Sequence, residues 1–214
     1  MNDPFFSVIV PEHNSAVFMR KMLDSIRGQT FTDYELIIVC DRCTDNTADI
    51  AREYTDTVLE VDNGKCGLTR NNGLDIARGK WIIFADDDDW FLHPYVFEIL
   101  HGRLKESECD VLACGFVVDW RNGRGLHEET FLNPANSKLW VAPWTKVWRR
   151  DFIGDHRFPD WKHSDDLGFA QEMFPLIKDL EYTIFPVYYY NYMRDGSIQH
   201  KLSTGELSNS DMKG

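Results

Sequence analysis

Trp81-Ile82-Ile83-Phe84-Ala85-Asp86-Asp87-Asp88-Asp89-Trp90 is the stretch from which the rest of the chain is best read. Four bulky apolar residues followed by four carboxylates predict a buried strand that ends abruptly in an acidic loop. If the backbone stays extended past Phe84, side chains alternate, and Asp86 and Asp88 project to the same side. Two carboxylates held side by side repel, so one keeps a proton unless a cation intervenes. Hard oxygen ligands of this kind suit Mg²⁺ or Mn²⁺. The plainer reading is a solvated turn in which Asp89 helps start the next helix ahead of Pro94. It explains one acid comfortably and four poorly.

Upstream of this stretch, strand and helix signals alternate. Residues 6–10 read as a first strand broken at Pro11, and Asn14 or Ser15 can cap the helix that follows. Phe18, Met22, Leu23 and Ile26 form its apolar stripe, and Gly28 ends it. Residues 35–39 are a second strand, followed by a short helix that Thr44 or Asp45 can cap and that runs through Tyr54. Residues 57–61 are a third strand. A glycine-bearing loop at 62–67 then leads into a helix with Thr69, Arg70 and Asn71 that stops at Gly79. Four such alternations with short connections predict a parallel sheet covered by helices. Ligands of such sheets sit beyond the carboxyl ends of the strands. His13, Asp41 and the acids at 86–89 all lie just past strand ends, so they are expected to converge on one crevice.

Downstream the pattern loosens. Val96, Phe97, Leu100 and Leu104 mark a helix after Pro94, and residues 111–118 a strand with a hairpin turn at Asn122-Gly123. Residues 142–148 read as a short helix. Asp165 and Asp166 head another, with Phe169, Met173 and Ile177 on one face and Pro175 kinking it. Residues 182–192 are aromatic and β-prone, interrupted by Pro186, and from Gly196 the tail is polar.

The composition narrows the function. The 214 residues, 43% hydrophobic and 14% aromatic, suit one packed globular domain. A net charge of -12 argues against nucleic acid or an anionic membrane surface as the main partner. Apolar runs are too short to span a bilayer, so no transmembrane segment is expected. No basic segment ahead of an apolar one opens the chain, so no secretory signal is expected either. Five cysteines are an odd number and point to thiols in a reducing compartment. Cys40 and Cys43 form a CxxC; a structural zinc site would need a second pair, for which Cys109 and Cys114 are poorly spaced, while a thioredoxin-like redox role, with the pair opening a helix after a strand, is loosely met. These features together predict a cytoplasmic protein, at most peripheral to a membrane.

The ordered motifs resemble the inverting glycosyltransferases of family 2, which have the GT-A fold. Val8-Ile9-Val10-Pro11-Glu12-His13-Asn14 is similar to the opening V-I-V-P-x-Y-N, and the segment from Gln29-Thr30-Phe31 to Val39 resembles Q-T-F-x-x-[FY]-E-I-I-V. Cys40-Asp41-Arg42-Cys43-Thr44-Asp45 resembles D-D-G-S-T-D, and Arg70-Asn71 with Gly73 and Gly79 resembles the A-R-N-x-G helix. Phe84-Ala85-Asp86-Asp87-Asp88-Asp89 is similar to F-L-D-x-D-D, Pro143-Trp144-Thr145-Lys146 to W-N-K, and Asp165-Asp166 to E-D.

The resemblance implies an α/β, Rossmann-like GT-A fold. It has a mostly parallel sheet, helices on both faces and a smaller acceptor-side region. Residues 1–200 would form one domain, with 1–110 binding a nucleotide-sugar, 111–200 facing the acceptor, and 201–214 as a polar tail. The implied activity moves a hexosyl or N-acetylhexosaminyl group, with inversion, from a nucleotide-sugar, usually a UDP-sugar. The acceptor would be a hydroxyl of a carbohydrate or lipid-linked glycan, as in polysaccharide synthesis. Mn²⁺ or Mg²⁺ would bridge the diphosphate, with Asp88 as principal ligand and Asp86 near the ribose or the metal. Pro11, His13, Asp41, Arg70, Asp86 and Asp87 would bind the donor; Asp41 would face the uracil N3–H, His13 would stack, and Arg70 would meet the diphosphate. Asp166 would be the general base, with Arg194 and His200 closing late over the donor.

Each role has a plainer counterpart. Asp165 and Asp166 can simply favour a helix N-terminus. Trp144 and Trp161 serve as sugar platforms or as buried core, and Arg70 as a solvated helix residue. Cys40, Arg42 and Cys43 depart from D-D-G-S, and His13 replaces tyrosine. All four changes fall on the nucleoside side. The rival readings are a catalytically silent nucleotide-sugar-binding protein on the same fold and a nucleotidyltransferase. The latter would need a glycine-rich basic loop where Pro11-Glu12-His13-Asn14 stands.

Overall fold

Strand Phe6–Glu12 (β1) is buried along its whole length, because the sheet continues on both of its sides. The computed structural model describes residues 3–121, 127–132, 139–192, 201 and 204–205. Alternate residues of β1 face opposite layers, as the pleat requires. Phe6, Val8 and Val10 pack with Met19, Met22, Leu23 and Ile26 of helix Met19–Arg27 (α1), whereas Ile9 packs with Leu74 of helix Cys66–Ile76 (α3). Strand Tyr34–Asp41 (β2) pairs parallel with β1 on one side and with Val58–Val61 (β3) on the other. Strand Trp81–Phe84 (β4) pairs parallel with β1. Helix Thr47–Arg52 (α2) and helix Val96–Leu104 (α4) share the α1 face.

The second half extends the same sheet and makes it mixed. Strands Trp90–Phe91 (β5), Val111–Arg121 (β6), His127–Leu132 (β7), Lys146–Arg149 (β8) and Leu180–Tyr190 (β9) complete it. The order is β3-β2-β1-β4-β8-β6-β9-β5, with β7 paired to β6. Strand β8 runs antiparallel to both β4 and β6, and β9 runs parallel to β6. The parallel expectation therefore holds for the three pairings among the first four strands, while the later strands add four antiparallel pairings and one parallel one. Helix Arg150–Ile153 (α5) and helix Asp165–Met173 (α6) contribute Ile153, Phe169 and Met173 to the α3 layer. Helices thus cover both faces.

Several local expectations are corrected. Residues 142–148 are not a helix: a single 3-10 turn at Pro143–Thr145 leads into β8. There Val147 and Trp148 join opposite core layers, and pairing with β4 and β6 outweighs any helical preference. Helix α1 starts later than the Asn14 or Ser15 cap implies; the Ser15 carbonyl, rather than a side chain, accepts from the Phe18 and Met19 N–H groups. Asp45 does cap locally, accepting from the Thr47 N–H at 3.0 Å. Helix α6 stops at Met173 and passes into a 3-10 turn at Phe174–Leu176, where Pro175 cannot donate. Pro186 sits at a register shift between β9 and β6. The hairpin pairing of β6 with β7 is present, although Asn122 and Gly123 lie outside the described residues, as do Arg194, His200 and most of the tail.

Candidate active site

Chain direction alone brings the site together. Strands β1, β2 and β4 run parallel, so their carboxyl ends open on the same edge, and a cavity of about 800 Å³ lies there. Pro11, His13, Asp41, Arg70, Asp86, Asp87, Asp88 and Asp166, all expected from the sequence, line it. The far wall comes from the second half: residues 141–144, 162–167 and 190–192.

The acid loop does not continue β4. The Asp89 N–H donates to the Asp86 carbonyl at 3.4 Å, so 86–89 turn instead of alternating. Asp86, Asp87 and Asp88 consequently stay at the cavity, while Asp89 turns inward and is 1% exposed. Its Oδ1 accepts from the Asn191 N–H at 2.8 Å, and its Oδ2 meets hydrogen-bond geometry with no described residue. Burial, then the charges of Asp88 and Asp86, holds the Asp89 carboxyl well above the usual range. Asp89 is therefore an internal tie to the end of β9 and not the start of a helix. Tyr188 of β9 supports the same loop, its hydroxyl oxygen accepting from the Asp86 N–H at 2.8 Å.

The nucleoside side is tightly organised. Burial raises the pKa of Asp41, but four donors outweigh it and hold the group below the usual range. Oδ1 accepts from Asn63 and Gly64 N–H at 2.8 and 3.0 Å, and Oδ2 from Lys65 N–H and Thr69 Oγ1 at 3.2 and 2.9 Å. Those four bonds fill about the number of lone-pair sites a carboxylate offers. Asp41 thus anchors the 63–65 loop, whose Gly64 has a positive φ of 67°. His13 donates from Nδ1 to the Asp41 carbonyl at 2.6 Å, which leaves Nε2 as the ring's acceptor.

Arg70, expected at the diphosphate, is held between two carboxylates. Nη1 donates to Asp165 Oδ2 at 2.8 Å and Nη2 to Asp86 Oδ1 at 2.7 Å. Asp165 and Asp166, indistinguishable by position, have different partners. Asp165 takes the arginine, whereas Asp166 Oδ1 accepts only the Leu167 N–H at 2.8 Å among bonds to described residues. Burial, with Asp165 and Asp86 nearby, raises the Asp166 pKa despite that bond and Arg70.

Sequence reasoning missed Glu12, Asn191, Tyr188 and Lys146. Glu12 is 2% exposed, and neither carboxyl oxygen meets hydrogen-bond geometry with a described residue. An acid inside an apolar strand run was its signal. Buried Lys146 donates to the Trp140 carbonyl, to Ala142 O at 3.1 Å and to Thr145 Oγ1 at 2.7 Å, binding the 140–145 wall. Burial pulls its pKa down to about 7. Trp144 is 4% exposed and stacks on Tyr188 at 4.8 Å, so it is chiefly core; Trp161 is exposed and lies off the cavity.

The donor set fits a divalent ion with open coordination positions. Among the described residues no group of three or more His, Cys, Asp or Glu side chains is placed to hold a metal ion by itself, so substrate oxygens would have to complete the coordination. Asp86, Asp87 and Asp88 line one wall, while nearby Arg70 is already ion-paired and Lys65 is paired to Asp160. One or two carboxylates plus substrate phosphates is the usual Mg²⁺ arrangement. No helix among the described residues is long and apolar enough to cross a membrane.

The family model for glycosyl transferase family 2 matches residues 7–151. A Bacillus subtilis (strain 168) protein bearing a glycosyltransferase name, EpsH, is 29% identical over 213 residues, covering 89% of this chain and 61% of EpsH. The poly(ribitol-phosphate) beta-N-acetylglucosaminyltransferase TarS of Staphylococcus aureus (strain MW2) is 29% identical over 209 residues, covering 89% of this chain and 36% of TarS. The chain thus spans less than two thirds of either relative. The crystal structure of S. aureus TarS 1-349 in complex with UDP-GlcNAc superposes with a TM-score of 0.76 at 26% identity, covering 94% of this chain and 61% of that one.

Proposed function

Because the chain belongs to glycosyl transferase family 2, we propose that it is the catalytic domain of a metal-dependent inverting glycosyltransferase that uses a UDP-sugar. The observation that carries this reading is one cavity with the acid loop 86–88 on one wall and Asp166, a carboxyl with no ion pair among the described residues, on another. The TarS complex with UDP-GlcNAc supports a UDP-sugar donor carrying a hexosyl or N-acetylhexosaminyl group. The acceptor is a hydroxyl of a carbohydrate or lipid-linked glycan, in glycoconjugate or polysaccharide synthesis in the cytoplasm.

Asp88 and Asp86 would hold Mn²⁺ or Mg²⁺, with Asp87 beside them. The bound ion supplies Lewis-acid stabilisation of the leaving diphosphate. Pro11 and His13 border the nucleoside, and Asp41 shapes its loop. Asp166 takes the acceptor proton as the hydroxyl attacks the anomeric carbon, and burial raises its pKa, the direction that strengthens a carboxylate base.

The test is a donor screen that reads released UDP, with and without acceptors, and assigns the product anomer by NMR. EDTA and Asp88→Asn should each remove most turnover while circular dichroism stays unchanged. Asp166→Asn should lower transfer by about 10²–10⁴-fold with UDP binding nearly normal. Full turnover in excess EDTA, or a product with retained configuration, would sink the reading.

A further inference from the structure

The bridge made by Arg70 joins the two halves of the chain. Asp86 belongs to the acid loop after β4, and Asp165 is the first residue of α6. The arginine side chain is 7% exposed, Asp165 12% and Asp86 28%, so the bridge is largely out of water. Its Nε is buried without a partner, so the two carboxylates, not full satisfaction of the guanidinium, set its orientation. Three residues earlier on α3, one turn away, Gly67 lies under the same acid; a Cβ there would stand 2.8 Å from Asp165 Cβ. Helix α6 is thus seated against α3 by a close approach and a shared cation. The residue that follows the seat is Asp166.

We propose that Arg70, acting through Asp165, is a positioning residue for Asp166 that fixes the separation between the donor-holding acid loop and the base-bearing head of α6. Asp86 and Asp165 come from distant segments and would repel if left alone. A guanidinium forks onto both at once, whereas a lysine ammonium is a single point charge on a flexible stem. This inference rests on the assignment of Asp166 as base. A displacement of about 1 Å at a reacting group costs about 10²-fold in rate.

The experiment compares Arg70→Met, Arg70→Lys, Asp165→Ala and Asp165→Asn with the wild type. It measures kcat and donor KM, UDP affinity by calorimetry, and urea unfolding midpoints of the singles and of Arg70→Met/Asp165→Ala. Asp165→Ala should lose about 10²-fold in kcat with donor KM and UDP affinity nearly unchanged. Asp165→Asn, which keeps an acceptor for Nη1, should recover part of that loss, and Arg70→Lys should recover little. The unfolding effects of the double variant should be non-additive, as for residues in contact. Loss of UDP affinity in parallel with kcat for Asp165→Ala would overturn the inference, because the residue would then act on the donor. A wild-type protein without transfer activity overturns the base assignment and this inference together. An active wild type whose Asp165 variants turn over normally overturns this inference alone.

Discussion

At the residue scale, carboxyls of one chemical type are driven to different states by what surrounds them. Asp41 is held low by four donors, Asp165 is paired, and Asp166 is raised. Glu12 is the extreme case: burial, then the neighbouring Asp87 charge, pushes its carboxyl well above the usual range. A group whose folded pKa lies above its unfolded one contributes stability when protonated, below the unfolded value. That contribution is lost as pH rises through the folded value. From the unfolded value upward the wild type therefore loses the stability that a neutral Glu12 contributes. Glu12→Gln lacks that loss, so it should gain unfolding stability relative to the wild type, by about 1–3 kcal/mol, as pH is raised from 4 to 8. A difference in urea midpoint between the two proteins that is the same at pH 4 and pH 8 would show that Glu12 finds compensation elsewhere.

At the element scale, the decisive contact is α3 against α6. Gly67 in the first turn of α3 costs about 1 kcal/mol of helix propensity relative to alanine. The steric term opposes that gain, since a Cβ there would lie 2.8 Å from Asp165 Cβ and 2.9 Å from Phe158 Cβ. Overpacking of this kind typically costs about 1–3 kcal/mol, so crowding should win. Gly67→Ala is expected to lower the thermal midpoint and to reduce transfer by displacing the head of α6. A variant with a higher midpoint and full activity would show that α6 can move away freely.

At the scale of the whole molecule, the two halves share one sheet. Strand β4 from the first half pairs with β8, and β5 pairs with β9. Residues 1–110 alone would expose the β4 edge, with Trp81, Trp148's partner Ile82, and Ile83 losing their cover. That fragment is expected to aggregate or to lack a cooperative unfolding transition by circular dichroism. A soluble fragment with a sharp transition would establish a separate nucleotide-binding unit.

What the sequence by itself determined is the part set by local period and chain direction. Alternation of strands and helices predicted the parallel half-sheet, and position at strand ends predicted that His13, Asp41 and the acid loop would meet. Those inferences needed only the pleat, the helical repeat and the rule that parallel strands open on one edge. Tertiary structure alone decided the rest. Residues 146–149 became a strand because β4 and β6 offered unpaired edges on either side. Asp89 turned inward because Asn191, far along the chain, supplied a donor. Arg70 chose Asp86 and Asp165, and so separated Asp165 from Asp166, because Gly67 let two helices approach. Charge pairing and burial depend on distances between remote segments, and those distances exist only once the chain has folded.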